Sequence, residues 1–256
     1  AIGQEVEAEE LGGSQMHSSI SGTVDFEEDD DPSCIDRLRS LMEKLNNDDS
    51  YPAYRHKFDE TKSPLCAPES IYEWMDPKGS QEYDVRKLLD TIVDEGSIDE
   101  YKKDYGKTLV TAFATIAGIP VGIVASQRKC CENAKGGIEI GGVIYPQSAE
   151  KAARFIMECN QMQIPLIFLQ DVFGFMVGRD AEQEGIIRSG AKLVNALSNT
   201  IVPKITVIIG NSYGAGNYAL CGKAYDPRFI VAWPNSHYAV MGGAQAASTL
   251  LSVQKR

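Results

Sequence analysis

A chain of 256 residues, 43% of them apolar, is long enough for one large domain or one domain with an appendage. Its formal net charge of −11 argues against nucleic-acid or anionic-membrane partners, because both repel an acidic surface. No apolar run approaches the ~20 residues that span a bilayer, and Ala1–Glu5 lacks the basic and apolar regions of a secretory signal.

The six cysteines show no zinc-binding spacing. A core of this size needs no disulfide staples, so a reducing compartment is expected: the cytoplasm, or the mitochondrial matrix in a eukaryote. Glu27–Asp31 is an acidic run that reads as a solvated loop.

Residues 1–35 are acidic and rich in Gly and Ser. Ile35, Leu38, Leu41, Met42 and Leu45 share one helical face, which predicts a helix over Ser33–Leu45, broken by Asn46–Ser50. Four prolines make 51–80 a connector, and Asp84–Val93 reads as a short helix. Thr108–Ala117 and Pro120–Ala125 are β-prone runs flanking a hairpin turn at Gly118. A helix is predicted over Ser148–Met162, without a capping box. A buried strand follows at Ile164–Gln170, then one helix over Asp180–Asn199 with Asp180 as N-cap. Ile205–Ile209 is a second buried strand, and Tyr213–Cys221 opens a helix. Phe229–Trp233 and Tyr238–Met241 are strands, and Gly243–Val253 closes the chain as a helix. Strands alternating with helices, plus β–β pairs, define an α/β core whose strands are buried on both faces.

Ligands of such sheets collect at strand ends. Two strand ends are rich in glycine: Gln170–Gly178 and Gly210–Tyr218. Gly210-Asn-Ser212-Tyr-Gly214 fits the nucleophile elbow of serine hydrolases, with Asp226 and His237 following in order. Few residues remain after Ser212 for the sheet that fold requires. Gly214-Ala-Gly216-Asn-Tyr-Ala219 also fits a dinucleotide fingerprint. However, Asn211–Tyr213 separate it from the preceding strand, and no acidic residue lies at the end of the next one. A structural reading, in which the glycines let a helix pack closely on the sheet, stays open. A fourth reading uses backbone alone. The amides of Ala215 and Gly216, at a helix N-terminus, would form an oxyanion hole for a carbonyl becoming an enolate.

Longer segments carry a resemblance. Ile164–Gly178, Gly185–Lys192, Val202–Tyr218 and Val240–Ala247 resemble the carboxyltransferase (beta) subunits of biotin-dependent acyl-CoA carboxylases. So do Asp104–Gly106, Pro120–Ala125 and Gly3–Gly22. Ser212–Tyr218 and Cys221–Arg228 are most similar to the methylcrotonoyl-CoA type.

The resemblance implies an α/β crotonase fold, a spiral of ββα units, with an irregular, helical N-terminal appendage. It implies a C-terminal portion only. Residues 1–35 would be the tail of an absent N-terminal domain, 36–99 a connector, and 100–256 the biotin-side domain, short at its end. The implied reaction moves a carboxyl group from carboxybiotin, on a partner's carrier domain, to an acyl-CoA. 3-Methylcrotonoyl-CoA is favoured, with propionyl-CoA or another acyl-CoA open. Backbone oxyanion holes would stabilise the enolates, with no side-chain base and no metal.

Residue by residue, the resemblance gives Ala215 and Gly216 the catalytic amides and Gly214 the turn. Gly174, Phe175 and Gly178 would line the opposite wall, and Tyr213 and Tyr218 would offer rings to biotin. Asn217 would cap the turn, and Cys221 would be a small core residue. The implied partners are further carboxyltransferase subunits in a hexamer, a biotin carboxylase and biotin carrier subunit, and the missing N-terminal half. The reverse transfer of a glutaconyl-CoA decarboxylase, the hydrolase and a non-catalytic assembly subunit remain alternatives. One segment departs from the family: Gln127–Cys131, with Arg128, Lys129 and Lys135, reads as a mobile insertion or a basic contact to a CoA phosphate.

Overall fold

The computed structural model describes residues 5–44, 62–76 and 81–254. The expected break at 46–50 and half of the 51–80 connector lie outside the described residues. The N-terminal part begins with two short helical segments, α1 (Ala8–Gly12) and α2 (Ser14–Met16), followed by a π-helical turn over His17–Ser21. Helix α3 follows at Asp31–Lys44. Ile35, Leu38 and Met42, expected to be its buried face, are exposed. The helix docks instead through polar groups. Arg37 pairs with Glu28 and Asp99, and Ser40 donates a hydrogen bond to Asp99 at 2.9 Å. Helix α4 (Ile71–Trp74) and helix α5 (Arg86–Leu89) are each a single turn. The expected helix over Asp84–Val93 is therefore shorter than its apolar spacing suggested.

The body is built on strands β1 (Asp99–Tyr101), β2 (Leu109–Ile116) and β3 (Ile119–Ser126). Two short strands, β4 (Cys131–Glu132) and β5 (Ile138–Glu139), pair as a hairpin, and β6 (Val143–Ile144) leads into helix α6 (Pro146–Gln161). Strand β7 (Leu166–Val172) and strand β8 (Gly174–Phe175) precede α7 (Arg179–Glu184) and α8 (Ile186–Ser198). Strand β9 (Lys204–Tyr213) runs directly into α9 (Gly214–Ala219). Then come β10 (Phe229–Ala232), β11 (His237–Ala239) and α10 (Gly243–Gln254).

The main sheet runs β1-β2-β3-β7-β9-β10, with β11 also paired to β9. The β1-β2-β3 edge is antiparallel and the rest is parallel. Between β2 and β3, Ala117 and Gly118 turn at positive φ, and the Asp94 carboxylate accepts hydrogen bonds from both amides at 2.9 and 2.8 Å. Pro120 is tolerated in β3 because pairing with β7 starts only at Gly122.

Both faces are covered, which explains the near-continuous apolar strands. Val124, Leu166 and Phe168 face α6 and α8 in one core. Ile123, Ala125 and Leu169 face the other way, against Tyr83, Val85, Leu88, Leu89 and Val93. The last third of the expected connector thus packs into the body of the fold.

Three element boundaries differ from expectation for local reasons. Helix α6 starts two residues early, at Pro146, whose missing N–H costs nothing in the first turn. Ser148 then lies at N3, and its Oγ accepts the Tyr145 N–H at 2.9 Å. The long helix after β8 breaks at Gly185, which sits at φ 90° and ends α7, and Gly178 rather than Asp180 is the N-cap. Strand β9 extends through Asn211–Tyr213 because β11 pairs with those residues.

Lys151 is buried on α6, its Nζ donating to the Lys102 carbonyl at 3.3 Å. Burial pulls its pKa down to about 7. The unfolded chain therefore binds a proton between about pH 7 and ~10.4 that the native state does not. Stability should rise across that window, by at most ~1.4 kcal/mol per pH unit, and below it this group should add no further pH dependence, the cost of the buried charge then being fully present. Lys151→Met is expected to abolish that rise and to be the more stable protein at pH 7.5. Urea denaturation at pH 7.5 and 9.5 checks this; parallel behaviour of the two proteins would count against a neutral Lys151.

Candidate active site

The parallel ladder between β7 and β9 is irregular at one place. Gln170 pairs with Ile208, but Val172 pairs with Ser212. Such a bulge re-aims side chains, and here it turns Asp171 toward β9. The Asp171 carboxylate fills the space a Cβ on Gly210 would need, at 2.4 Å from that position. It accepts hydrogen bonds from the Asn211 amide at 2.8 Å, Asn211 Nδ2 at 3.0 Å and the Tyr83 hydroxyl at 3.0 Å. Arg128 Nε lies 3.0 Å from Oδ2, the oxygen that also accepts from Tyr83. Burial, then the neighbouring carboxylate, pushes the Tyr83 hydroxyl well above the usual phenol range and keeps it a donor.

Arg128 is itself buried, and its Nη1 donates to the Gly141 carbonyl at 3.2 Å. Its neighbour Gln127 is buried too, bonded to the Val85 amide and to Asp84. The Gln127–Arg128 segment is therefore neither a free insertion nor a surface basic patch. The Arg128 charge is turned inward to balance Asp171, since an unpaired buried carboxylate would be costly. Lys135 is on the surface, 2.8 Å from Glu184.

A second network anchors α9. Ser212 Oγ donates to Gln170 Oε1 at 2.6 Å and accepts from Asn217 Nδ2 at 2.8 Å. Gln170 Nε2 donates to the Leu220 carbonyl at 2.6 Å. Asn217 thus lies inside α9 and ties it to the sheet rather than capping the turn. Ser212 is fully buried, while His237 and Asp226 are exposed and Asp226 lies 3.3 Å from Lys223. Among the described residues, Ser212, Asp226 and His237 therefore form no hydrolase triad. A fluorophosphonate probe is expected to leave Ser212 unlabelled, and Ser212→Ala to cost about 1–3 kcal/mol by stranding its partners. Labelling at Ser212, read by mass spectrometry, would reverse this assignment.

The glycines divide in role. A Cβ on Gly216 would lie 2.7 Å from Val172 Cγ2 and 3.0 Å from both Cα and N of Gly174, so α9 can approach β8 only with glycine there. Gly174 sits at φ 142°, and the space in its Cβ direction is open. The two glycine-rich strand ends are brought together, with Ala215 exposed at the first turn of α9. First-turn amides of a helix have no partner within it.

The rings are distributed differently from expectation. Phe175 turns into the core, its ring 3.1 Å from the Cβ position of Gly190. Tyr218 packs against Tyr225 with the rings tilted by 49° and their centroids 4.8 Å apart. The ring beside Tyr213 is Phe173, 40% exposed and stacked at 6.2 Å and 27°. Gly178 stands further along, at the start of α7. Cys221 is a buried core residue, and burial pushes its thiol up to about 11. All six cysteines are unpaired.

Asp171 and Phe173 were not singled out within their glycine-rich segment, and Arg128 was expected in a mobile insertion or on a CoA phosphate rather than beside a buried carboxylate. One signal was present: a carboxylate in an otherwise apolar buried strand must have a partner.

Among the described residues no three His, Cys, Asp or Glu side chains cluster as metal ligands would, and no helix is long and apolar enough to cross a membrane.

A two-faced sheet wound with ββα turns, its glycine-rich strand ends meeting at a helix start, defines a crotonase-like α/β protein of the carboxyltransferase kind. The chain superposes on the transcarboxylase 12S crystal structure, a hexamer with hydrolysed methylmalonyl-coenzyme A bound, with a TM-score of 0.86 and 34% identity over 99% of this chain and 47% of that one. The carboxyl transferase domain model matches residues 1–256, and the chain belongs to that family. It is 44% identical to the biotin-dependent 3-methylcrotonyl-coenzyme A carboxylase beta1 subunit of Mycobacterium tuberculosis, over 99% of this chain and 45% of that protein. It is 36% identical to the methylmalonyl-CoA decarboxylase subunit alpha of Propionigenium modestum, over 97% of this chain and 46% of that one. The chain thus spans about half the length of each.

Proposed function

We propose that this chain is the biotin-side part of the carboxyltransferase of an acyl-CoA carboxylase, with 3-methylcrotonoyl-CoA as the favoured acceptor. The observation that carries the reading is 44% identity to a 3-methylcrotonyl-CoA carboxylase beta subunit over nearly the whole chain. Residues 100–256, together with the packed segment from Tyr83 to Val93, form the functional unit. Its partners are further carboxyltransferase subunits, in a hexamer like that of the 12S core, and a subunit bearing biotin carboxylase and the biotin carrier.

Bound carboxybiotin supplies an activated carboxyl group. The residues present suit such a group: the first-turn amides of α9 beside an exposed Ala215, open space beside Gly174, and a ring pair at Phe173 and Tyr213. The amides of Ala215 and Gly216 receive the ureido oxygen and favour negative charge there, at the positive end of the helix. Gly214 makes the turn, and Gly216 keeps α9 against β8 so that the donors hold their position. No side chain here is required as a base. This accords with the burial of Ser212 and the exposure of His237.

The assay is carboxyl transfer by the assembled enzyme, tried with 3-methylcrotonoyl-, propionyl- and acetyl-CoA. Turnover fastest on 3-methylcrotonoyl-CoA is the expected result, and no turnover on any thioester in either direction would sink the proposal. A second reading, decarboxylation of a carboxyacyl-CoA, is favoured by the 36% identity to a methylmalonyl-CoA decarboxylase subunit. The same assay run in reverse separates the two.

A further inference from the structure

We infer that Arg128 is a positioning residue, which holds the Phe173–Tyr213 ring pair as a shelf for the fused-ring end of biotin. The inference rests on the carboxyl-transfer reading above and adds to it a specific device.

The shelf is a closed circuit of five side chains. Arg128 contacts Asp171 through Nε at 3.0 Å and stacks its guanidinium over the Phe173 ring at 4.5 Å. Phe173 stacks on Tyr213. The Tyr213 hydroxyl donates to Asn211 Oδ1 at 2.9 Å, and Asn211 Nδ2 returns to Asp171 at 3.0 Å. Each member has two neighbours in the ring, so none is free to swing. Gly142 seals the back: a Cβ there would lie 3.2 Å from both Arg128 Nη1 and Phe173 Cδ2. Four members lie at the sheet end beside α9, and Tyr213 is the residue immediately before the α9 turn. Phe173 keeps two-fifths of its surface exposed although it is held on one face by a buried cation.

A planar guanidinium clamped by a buried carboxylate is a fixed support for a ring, and lysine lacks that plane. An aromatic face held still loses little freedom on binding, so its affinity for the planar ureido ring of a bicyclic ureide is higher than that of a mobile ring. The sequence puts Arg128 some 43 positions before Asp171, on a different strand end, so only the fold brings charge and ring together.

The test uses free biotin as the probe and the assembled enzyme as the protein. Biotin binding is followed by ligand-observed NMR, and transfer kinetics are measured in parallel. Arg128→Lys keeps the ion pair with Asp171, and so the fold, but removes the stacked plane. Arg128→Lys and Phe173→Leu are each expected to weaken biotin binding, and to raise its KM, about tenfold. The double variant should be no worse than either single one, because both changes remove the same shelf. The KM for acyl-CoA should stay within twofold, which a general loss of structure would not allow. Unchanged biotin affinity in Arg128→Lys, fully additive effects, or transfer without biotin binding by the parent protein would each overturn the inference. Absence of turnover with the binding pattern intact would sink the transfer reading and leave the shelf standing.

Discussion

Replacing Asp171 by alanine is expected to cost about 3–5 kcal/mol of folding stability, the range for breaking a buried ion pair by removing one partner. The reason is the number of groups left without a partner. Arg128 would keep its charge in a buried position, and the Tyr83 hydroxyl and two donors of Asn211 would lose their acceptor. Asp171→Asn keeps the volume but not the charge, so it should cost less than alanine while still stranding Arg128. A paired change, Arg128→Met with Asp171→Leu, should recover much of the loss, because no buried charge then remains. Chemical denaturation of the four proteins checks the order. If Asp171→Ala were within 1 kcal/mol of the parent, the bulge between β7 and β9 would be held by packing alone.

Ala215→Pro is expected to lower turnover about 100- to 1,000-fold, with little change in acyl-CoA affinity. That is the usual effect of deleting one oxyanion donor. Proline is a clean probe at this position. Ala215 is the second residue of α9, where no intrahelical N–H bond is lost, and the preceding Gly214 at φ 46° escapes the restriction proline places on its neighbour. The fold should survive, and an unchanged thermal midpoint is the control. Equal losses in turnover and acyl-CoA affinity, or no loss in either, would remove Ala215 from the role proposed. Gly216→Val is a poor substitute as a probe, since its side chain would collide with Val172 and Gly174 and displace α9 whatever the amides do.

Much of this protein is determined by local sequence. The β2–β3 hairpin, the buried strands β7 and β9, and helices α6 and α8 follow from apolar runs, helical spacing and turn residues, which act between near neighbours. The two glycine-rich strand ends were legible as the candidate site because α/β sheets place ligands there. The long matched segments made the family legible as well.

The tertiary structure decided which side chains stand at the candidate site. Phe173 and Phe175 flank one glycine and are equivalent as letters. The break between β7 and β8, with Gly174 at φ 142°, turns Phe175 to Gly190 and leaves Phe173 beside Tyr213. Ser212 fits a nucleophile motif, yet Gln170 and Asn217 enclose it. Arg128 sits in a polar segment that resembles a surface loop, and only the fold shows the buried carboxylate it must neutralise. Local periodicity sets which face a residue occupies within its own element. Burial cost and charge balance are set between elements, so the partners that fix the site emerge only when distant strands meet.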